Sequence, residues 1–198
     1  SCVDQRYSGA VEAAKKGAVA VIVRSMNLRN DDFPHTGVMS YEENIDSIPA
    51  FALSTNSANY LSENIAKYTN IELSLKSHCK TYPDKISYNV IGEMKGNKYP
   101  DEYITVGGHL DSWDLGEGAH DDGAGVVQSI EVLHLMKLMN IEPKHSIRVV
   151  LFMNEENGNR GGISYAEKAA KHQEKHLMAL ESDRGGFSPK GFSVNGTE

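Results

Sequence analysis

Glu102-Tyr-Ile-Thr-Val-Gly-Gly-His109-Leu-Asp111 is the stretch that decides how this chain is read. Its first half is apolar and β-branched, which predicts a strand over 102–106. Its second half turns abruptly to glycine, histidine and aspartate. Residues with ligand chemistry thus stand at the C-terminal end of a strand, the edge of an open α/β sheet where sites assemble.

Working outward, the same arrangement recurs. Residues 146–153 form a continuous apolar strand that ends in Asn154-Glu155-Glu156, and a strand over 177–181 ends in Glu181-Ser-Asp183. Ala119-His120-Asp121-Asp122-Gly123 stands just before a long helix predicted over 123–139. Apolar residues nearly surround that helix, so it is expected to be well buried. Further elements are a helix over 163–172, a strand over 88–94 and the start of a strand at 192–194. The Gly/Pro turn at 95–101 is short enough to make the strands over 88–94 and 102–106 an antiparallel hairpin. The expected fold class is α/β: a mostly parallel, mixed sheet flanked by helices.

The N-terminal part reads as a separate unit. A helix over 7–16 stops at Gly17, and short strands follow over 18–23 and 48–53. Ser54 or Thr55 caps a helix that runs to about Lys67, and the alternation over 71–76 suggests a third strand. Pro83 and charged residues interrupt the pattern near 81–85, so the expected domains are 1–84 and 85–198.

Composition narrows the function. Among 198 residues, 20 Lys+Arg against 27 Asp+Glu give a formal charge of −7, the opposite of the basic face a nucleic-acid binder carries. Ala18–Val23, the longest apolar stretch, is far too short to span a bilayer, and mean hydropathy is −0.44. Two cysteines make neither a disulfide scaffold nor a Cys-rich zinc finger. Cys2 and Cys79 read either as a disulfide of an exported protein or as two separate thiols. The chain begins at Ser without a signal peptide, as a processed or excised piece would.

The strand-end residues are His, Asp and Glu without cysteine. Imidazole plus carboxylate suits zinc in a hydrolytic site, with manganese or cobalt as alternatives. A metal pair needs a bridging carboxylate, and an Asp at a helix start is short enough to serve. Glu155 and Glu156 are adjacent at a strand end, so one is able to bind metal while the other faces water as a base. The His109-x-Asp111 spacing lets the aspartate orient the imidazole. Each cluster alone is an ordinary turn or charged loop; the four in this order are not.

Val106-Gly-Gly-His-Leu-Asp-Ser-Trp113, Asp121-Asp-Gly-Ala-Gly125, Asn154-Glu-Glu-Asn-Gly158 and Glu181-Ser-Asp183 together resemble the co-catalytic zinc aminopeptidase and carboxypeptidase family. The closest likeness is to its plasma glutamate carboxypeptidase branch of secreted, dipeptidase-like members, and it covers roughly residues 88–198. The first unit resembles the protease-associated domain often inserted in these enzymes, through its element order and Gly17-Ala-Val-Ala-Val-Ile-Val23. The resemblance implies two zinc ions. His109, Asp121 and Asp183 hold the first, and Asp121 bridges to a second that Glu156 also binds. Glu155 is the general base, and Asp111 orients His109. The Asp121–Asp122 peptide is expected to be cis. The implied reaction is hydrolysis of a terminal peptide bond in a dipeptide or short peptide, in a secreted or periplasmic setting, with dimerisation through the catalytic domain. Trp113 is weighed as a wall of the substrate cleft, Arg184 as a contact for a substrate carboxylate and Asn195-Gly-Thr197 as a glycosylation sequon.

The family also supplies a histidine to the second zinc near the end of its catalytic domain. No histidine follows His176, so the chain reads as truncated before that ligand. His120, His134 and His145 read as non-ligands, and so do His172 and His176 on a solvated helix end. His35 and His78 read as surface residues. A function of a different class therefore stands beside the enzyme: a truncated, non-catalytic metal- or protein-binding fragment. A glutaminyl cyclase-like acyl transferase is disfavoured by the intact Asp121-Asp-Gly cluster.

Overall fold

The computed structural model describes residues 4–35, 37–114, 116–183 and 185–196. Cys2, Arg184 and Thr197 lie outside them. The chain divides into two compact units, Ser1–Pro83 and Asp84–Glu198.

In the first unit the helix expected over 7–16 is two short pieces, α1 (Asp4–Tyr7) and α2 (Gly9–Ala14), separated by a turn at Ser8. Strands β1 (Val21–Arg24) and β2 (Ala50–Leu53) pair in parallel, with Val21 opposite Ala50. Helix α3 (Thr55–Lys67) starts on Ser54, whose side chain accepts the Ser57 amide. The buried Thr55 hydroxyl accepts the Asp31 amide at 2.8 Å and tethers the preceding loop. Residues 71–76 are not a strand: β1 and β2 pair only with each other, and alternation alone makes no strand without a ladder partner. Cys79 is a free, exposed cysteine.

The second unit is built on a four-stranded sheet in the order β3-β5-β4-β6, with β3 (Val90–Met94), β4 (Tyr99–His109), β5 (His145–Phe152) and β6 (Lys175–Glu181). β4 is parallel to β5 and to β6, and β3 is antiparallel to β5. The expected hairpin of β3 with β4 does not form, because β5 lies between them. Its ends explain why. The amides of Asn97 and Tyr99 donate to the carbonyls of Pro143 and Lys144, so the 95–98 turn wraps the start of β5. β5 is also the most continuously apolar strand, and Val149, Val150 and Leu151 are the buried core of this unit. Such a strand is most stable with a ladder on both sides.

Helices cover both faces. α4 (Gly123–Leu138) packs on β4, β5 and β3, with Leu133 over Gly92. α5 (Arg160–Lys171) lies on the other face, where Tyr165 meets Phe152 and Arg148. Among the described residues only one side of α4 is covered, so its all-round apolar surface leaves Val127 at 64% and Leu138 at 68% exposure, contrary to the expected burial. Residues 192–194 form no strand.

His176 lies in β6, not on a helix end. It bonds Thr105 at 2.9 Å and Glu174 at 3.0 Å, and it stacks on Tyr103. Next to it the buried Arg148 guanidinium donates to Glu93 (2.8 Å), Glu174 (2.7 Å) and the Tyr165 hydroxyl (3.1 Å), over the Tyr103 ring. Burial opposes the charge of Glu174, but the hydrogen bonds from Arg148 and His176 outweigh it and hold that carboxyl below its usual range. One cation thus ties three strands and α5 together.

Removing that cation leaves two carboxylates facing each other. Arg148→Met is expected to lower the unfolding free energy in urea by about 3 kcal/mol. Adding Glu93→Gln and Glu174→Gln should recover roughly half of that loss.

Candidate metal centre

The site is assembled by backbone pins. Asp122 is buried and caps α4: one carboxylate oxygen accepts the Gly125 amide at 2.9 Å, and the other accepts the His109 amide at 2.9 Å. The last residue of β4 is thereby tied to the first turn of α4. Burial raises the Asp122 carboxyl above its ordinary pKa, against the two amide bonds. The Asp121–Asp122 peptide that precedes the helix is cis.

Asp111 performs the second pinning. Its carboxylate accepts the amides of Glu155 (2.9 Å) and Glu156 (3.1 Å), which fixes the loop that leaves β5. It reaches His109 through its backbone carbonyl, 2.8 Å from Nδ1, while its nearer carboxylate oxygen stands 3.9 Å from that nitrogen. The same residue therefore orients the imidazole by its main chain and the glutamate loop by its side chain. Asn89 braces the far end of the loop: its Oδ1 accepts the Met153 amide and its Nδ2 donates to the Gly161 carbonyl. Nothing in the spacing of Asn89, Arg148 or Asp122 marks these roles. Only the N-cap position of Asp122, an acid just before a helix, is a readable signal.

These pins bring the strand-end residues together. The His109 side chain is 1% exposed, and its Nε2 lies 3.1 Å from Asp183, 3.2 Å from Asp121 and 3.9 Å from Glu155. Among the described residues, two groups have ligand atoms close enough to share a metal ion: His109 with Asp121 and Asp183, and His109 with Glu155 and Glu156. With Nδ1 committed to the Asp111 carbonyl, Nε2 is the one nitrogen left for a metal.

The electrostatics are those of a site short of positive charge. Burial would lower the His109 pKa. The Asp111 carbonyl, the Asp183 side chain and the charges of Glu155 and Asp122 outweigh it and push the imidazole up to about 9. Burial raises Glu155, helped by Asp183, Asp111 and Asp121. Burial also raises Glu156, with Asp121 and Glu155 adding to it. Glu156 Oε1 is buried without a hydrogen-bond partner. An orphaned carboxylate oxygen among like charges fits a divalent cation better than it fits solvent. The donor set of one imidazole nitrogen plus carboxylates suits zinc, manganese or cobalt.

Other sequence candidates have contacts of their own. Trp113 is half-buried and its carbonyl accepts the Gly116 amide. It does not line the cleft of ≈ 520 Å³ that opens behind Asp111 between Tyr88, Met153, Arg160 and Lys168. His134 pairs with Glu131 on α4, and His145 pairs with Glu102 at the opposite end of the sheet. No helix among the described residues is long and apolar enough to cross a membrane.

Residues 89–198 match Peptidase family M28. The chain is 39% identical to human carboxypeptidase Q over 196 residues, which is 99% of this chain and 42% of that protein. It is 41% identical to carboxypeptidase Q of Xenopus laevis over 194 residues, 98% of this chain and 41% of that protein. A crystal structure of a peptidase M28 precursor from Shewanella amazonensis superposes with a TM-score of 0.85 at 42% identity, covering 92% of this chain and 41% of that one. The chain thus spans about two fifths of the length of these relatives. With the matched segment taking in more than half of its residues, the chain belongs to Peptidase family M28.

Proposed function

We propose that this chain carries the metal centre of a two-zinc exopeptidase that hydrolyses a terminal peptide bond of dipeptides or short peptides. The observation that carries the reading is the convergence on His109 Nε2 of Asp121, Asp183 and Glu155, with the orphaned Glu156 beside them. His109, Asp121 and Asp183 would hold the first zinc, and Asp121 with Glu156 the second. Bound there, zinc acidifies water and stabilises negative charge on a carbonyl oxygen.

Glu155 then has one task at each end of the reaction. Its carboxylate, raised by burial and by its acidic neighbours, takes the proton of the attacking water and passes it to the leaving amine. The amides of residues 155 and 156 are committed to Asp111, so the base is held on a fixed loop. Asp111 keeps Nδ1 of His109 occupied and Nε2 aimed at the metal.

The names of two relatives, carboxypeptidase Q over nearly the whole chain and probable leucine aminopeptidase 2 of Aspergillus fumigatus over half of it, both describe cleavage at a chain end. What the two names share is exopeptidase chemistry, and that is the activity proposed for this chain. The first unit is proposed as part of a protease-associated domain, residues 85–198 as the N-terminal part of the catalytic domain, the setting as secreted or periplasmic, and the assembly as a homodimer.

Two measurements check this. Glu155→Gln, in the intact enzyme that carries this chain, is expected to keep its zinc and to hydrolyse dipeptides at least ~100-fold more slowly. Near-normal turnover would remove Glu155 from its role. Calorimetric titration of the chelator-stripped chain with zinc should show two sites, the His109 site being the tighter by roughly tenfold or more because it alone contains an imidazole. His109→Ala should abolish the tighter one.

A further inference from the structure

Beyond β6, Ser182 lies against Gly125, and Gly185 and Phe187 lie against His120, in the segment that carries Asp121 and opens α4. The two segments touch through glycines. The Ser182 carbonyl lies against Gly125, where a Cβ would overlap it. Gly185 has φ +83°, and a Cβ there would overlap the His120 ring at Cε1, Nε2 and Nδ1. The His120 ring also lies against the Phe187 ring, with centroids 5.2 Å apart and planes at 56°. The Ser182 hydroxyl adds a hydrogen bond to Gln128 Oε1 at 2.6 Å.

We propose that His120 is a positioning residue: its ring, seated on Gly185 and against Phe187, clamps the Asp183 loop to the Asp121 loop. The clamp sets the spacing of two carboxylates that share His109 Nε2 at 3.1 and 3.2 Å. The inference rests on the metal reading for its consequence, but not for the contact itself. His120 is one residue before Asp121, and Gly185 and Phe187 follow Asp183 by two and four residues. A shift of the ring therefore moves both carboxylates. The contact is one of shape. No hydrogen bond of the His120 ring accompanies it among the described residues, so an aromatic ring of similar width serves as well. Gly185 is required twice over, since φ +83° is strained for any other residue and a Cβ meets the ring.

The test uses His120→Gly, Gly185→Ala, their double variant and His120→Phe, each in the full-length chain. None of these residues donates to the metal. Zinc affinity by calorimetry is expected to fall about tenfold for His120→Gly and for Gly185→Ala, the scale on which groups behind metal ligands act. His120→Phe should stay within about threefold of the unaltered chain. In the double variant the added methyl group has no ring to meet, so the loss should be smaller than the product of the two single losses. The metal-free proteins should repeat this pattern in melting temperature, with Gly185→Ala lowered by a few degrees, about the size expected for a local clash. Losses that multiply in affinity and add in melting temperature, or a His120→Phe variant as weak as His120→Gly, would overturn the clamp. An unaltered chain that takes up no zinc would instead overturn the metal reading, and the metal-free melting temperatures would still decide the contact.

Discussion

Asp121, Asp183 and Glu155 gather within 3.9 Å of a single imidazole nitrogen, and the second unit is arranged to make that crowding possible. Like charges at such distances repel and drive one another towards protonation. Glu155 and Glu156 are both raised for that reason as well as by burial. The chain holds them by committing backbone amides to two other aspartates. Asp122 takes the amides of His109 and Gly125, and Asp111 takes those of Glu155 and Glu156. Each aspartate joins two segments far apart in sequence, so the site cannot relax by letting one loop drift. A charge deficit locked in by hydrogen bonds is the physical condition for binding a cation.

The sheet divides its labour between its two faces and its two ends. His109 ends β4, Glu155–Glu156 and Asp183 follow β5 and β6, and α4 begins at the same edge with Asp122 as its cap. The Arg148 network sits lower, on the face covered by α5, and bonds β5 to β3, to Tyr165 and to Glu174 just before β6. Buried charge is balanced there within the protein: Arg148 against Glu93 and Glu174. At the strand ends it is left unbalanced. That contrast separates a structural ionic cluster from a binding one. Among the described residues β6 is paired on one side only, and Leu177, Met178 and Leu180 remain exposed on it.

The elements with strong local signals are legible in the sequence. β5 announces itself by continuous apolar residues, and α3 and α4 by a capping acid or hydroxyl followed by helix formers. The clustering of His109, Asp121, Glu155 and Asp183 follows from one rule, that polar residues after parallel strands meet at a common edge. What stays hidden is non-local. A short turn suggests the hairpin of β3 with β4, but residues 97–99 spend their amides on the Pro143 and Lys144 carbonyls, and Gly96 donates to the Ser146 hydroxyl. No local pattern reports that β5 inserts between the two strands. Residues 71–76 alternate like a strand yet find no ladder. His176 sits among lysines in sequence and against Thr105, Tyr103 and Glu174 in space. Asp111 is expected to orient His109, and it does so through its carbonyl, while its carboxylate serves the Glu155–Glu156 loop. Spacing shows that two residues meet, but not which atoms do.

A bound metal ion is what the charge deficit at His109 predicts. A crystal of the chain grown with zinc, with anomalous difference maps recorded on both sides of the zinc absorption edge, tests it most directly. The predicted result is a zinc peak about 2.0–2.1 Å from His109 Nε2, with Asp121 and Asp183 completing its ligands and a second peak beside Glu156. Zinc found only at other histidine–carboxylate pairs, such as His134 with Glu131 or His145 with Glu102, would contradict it.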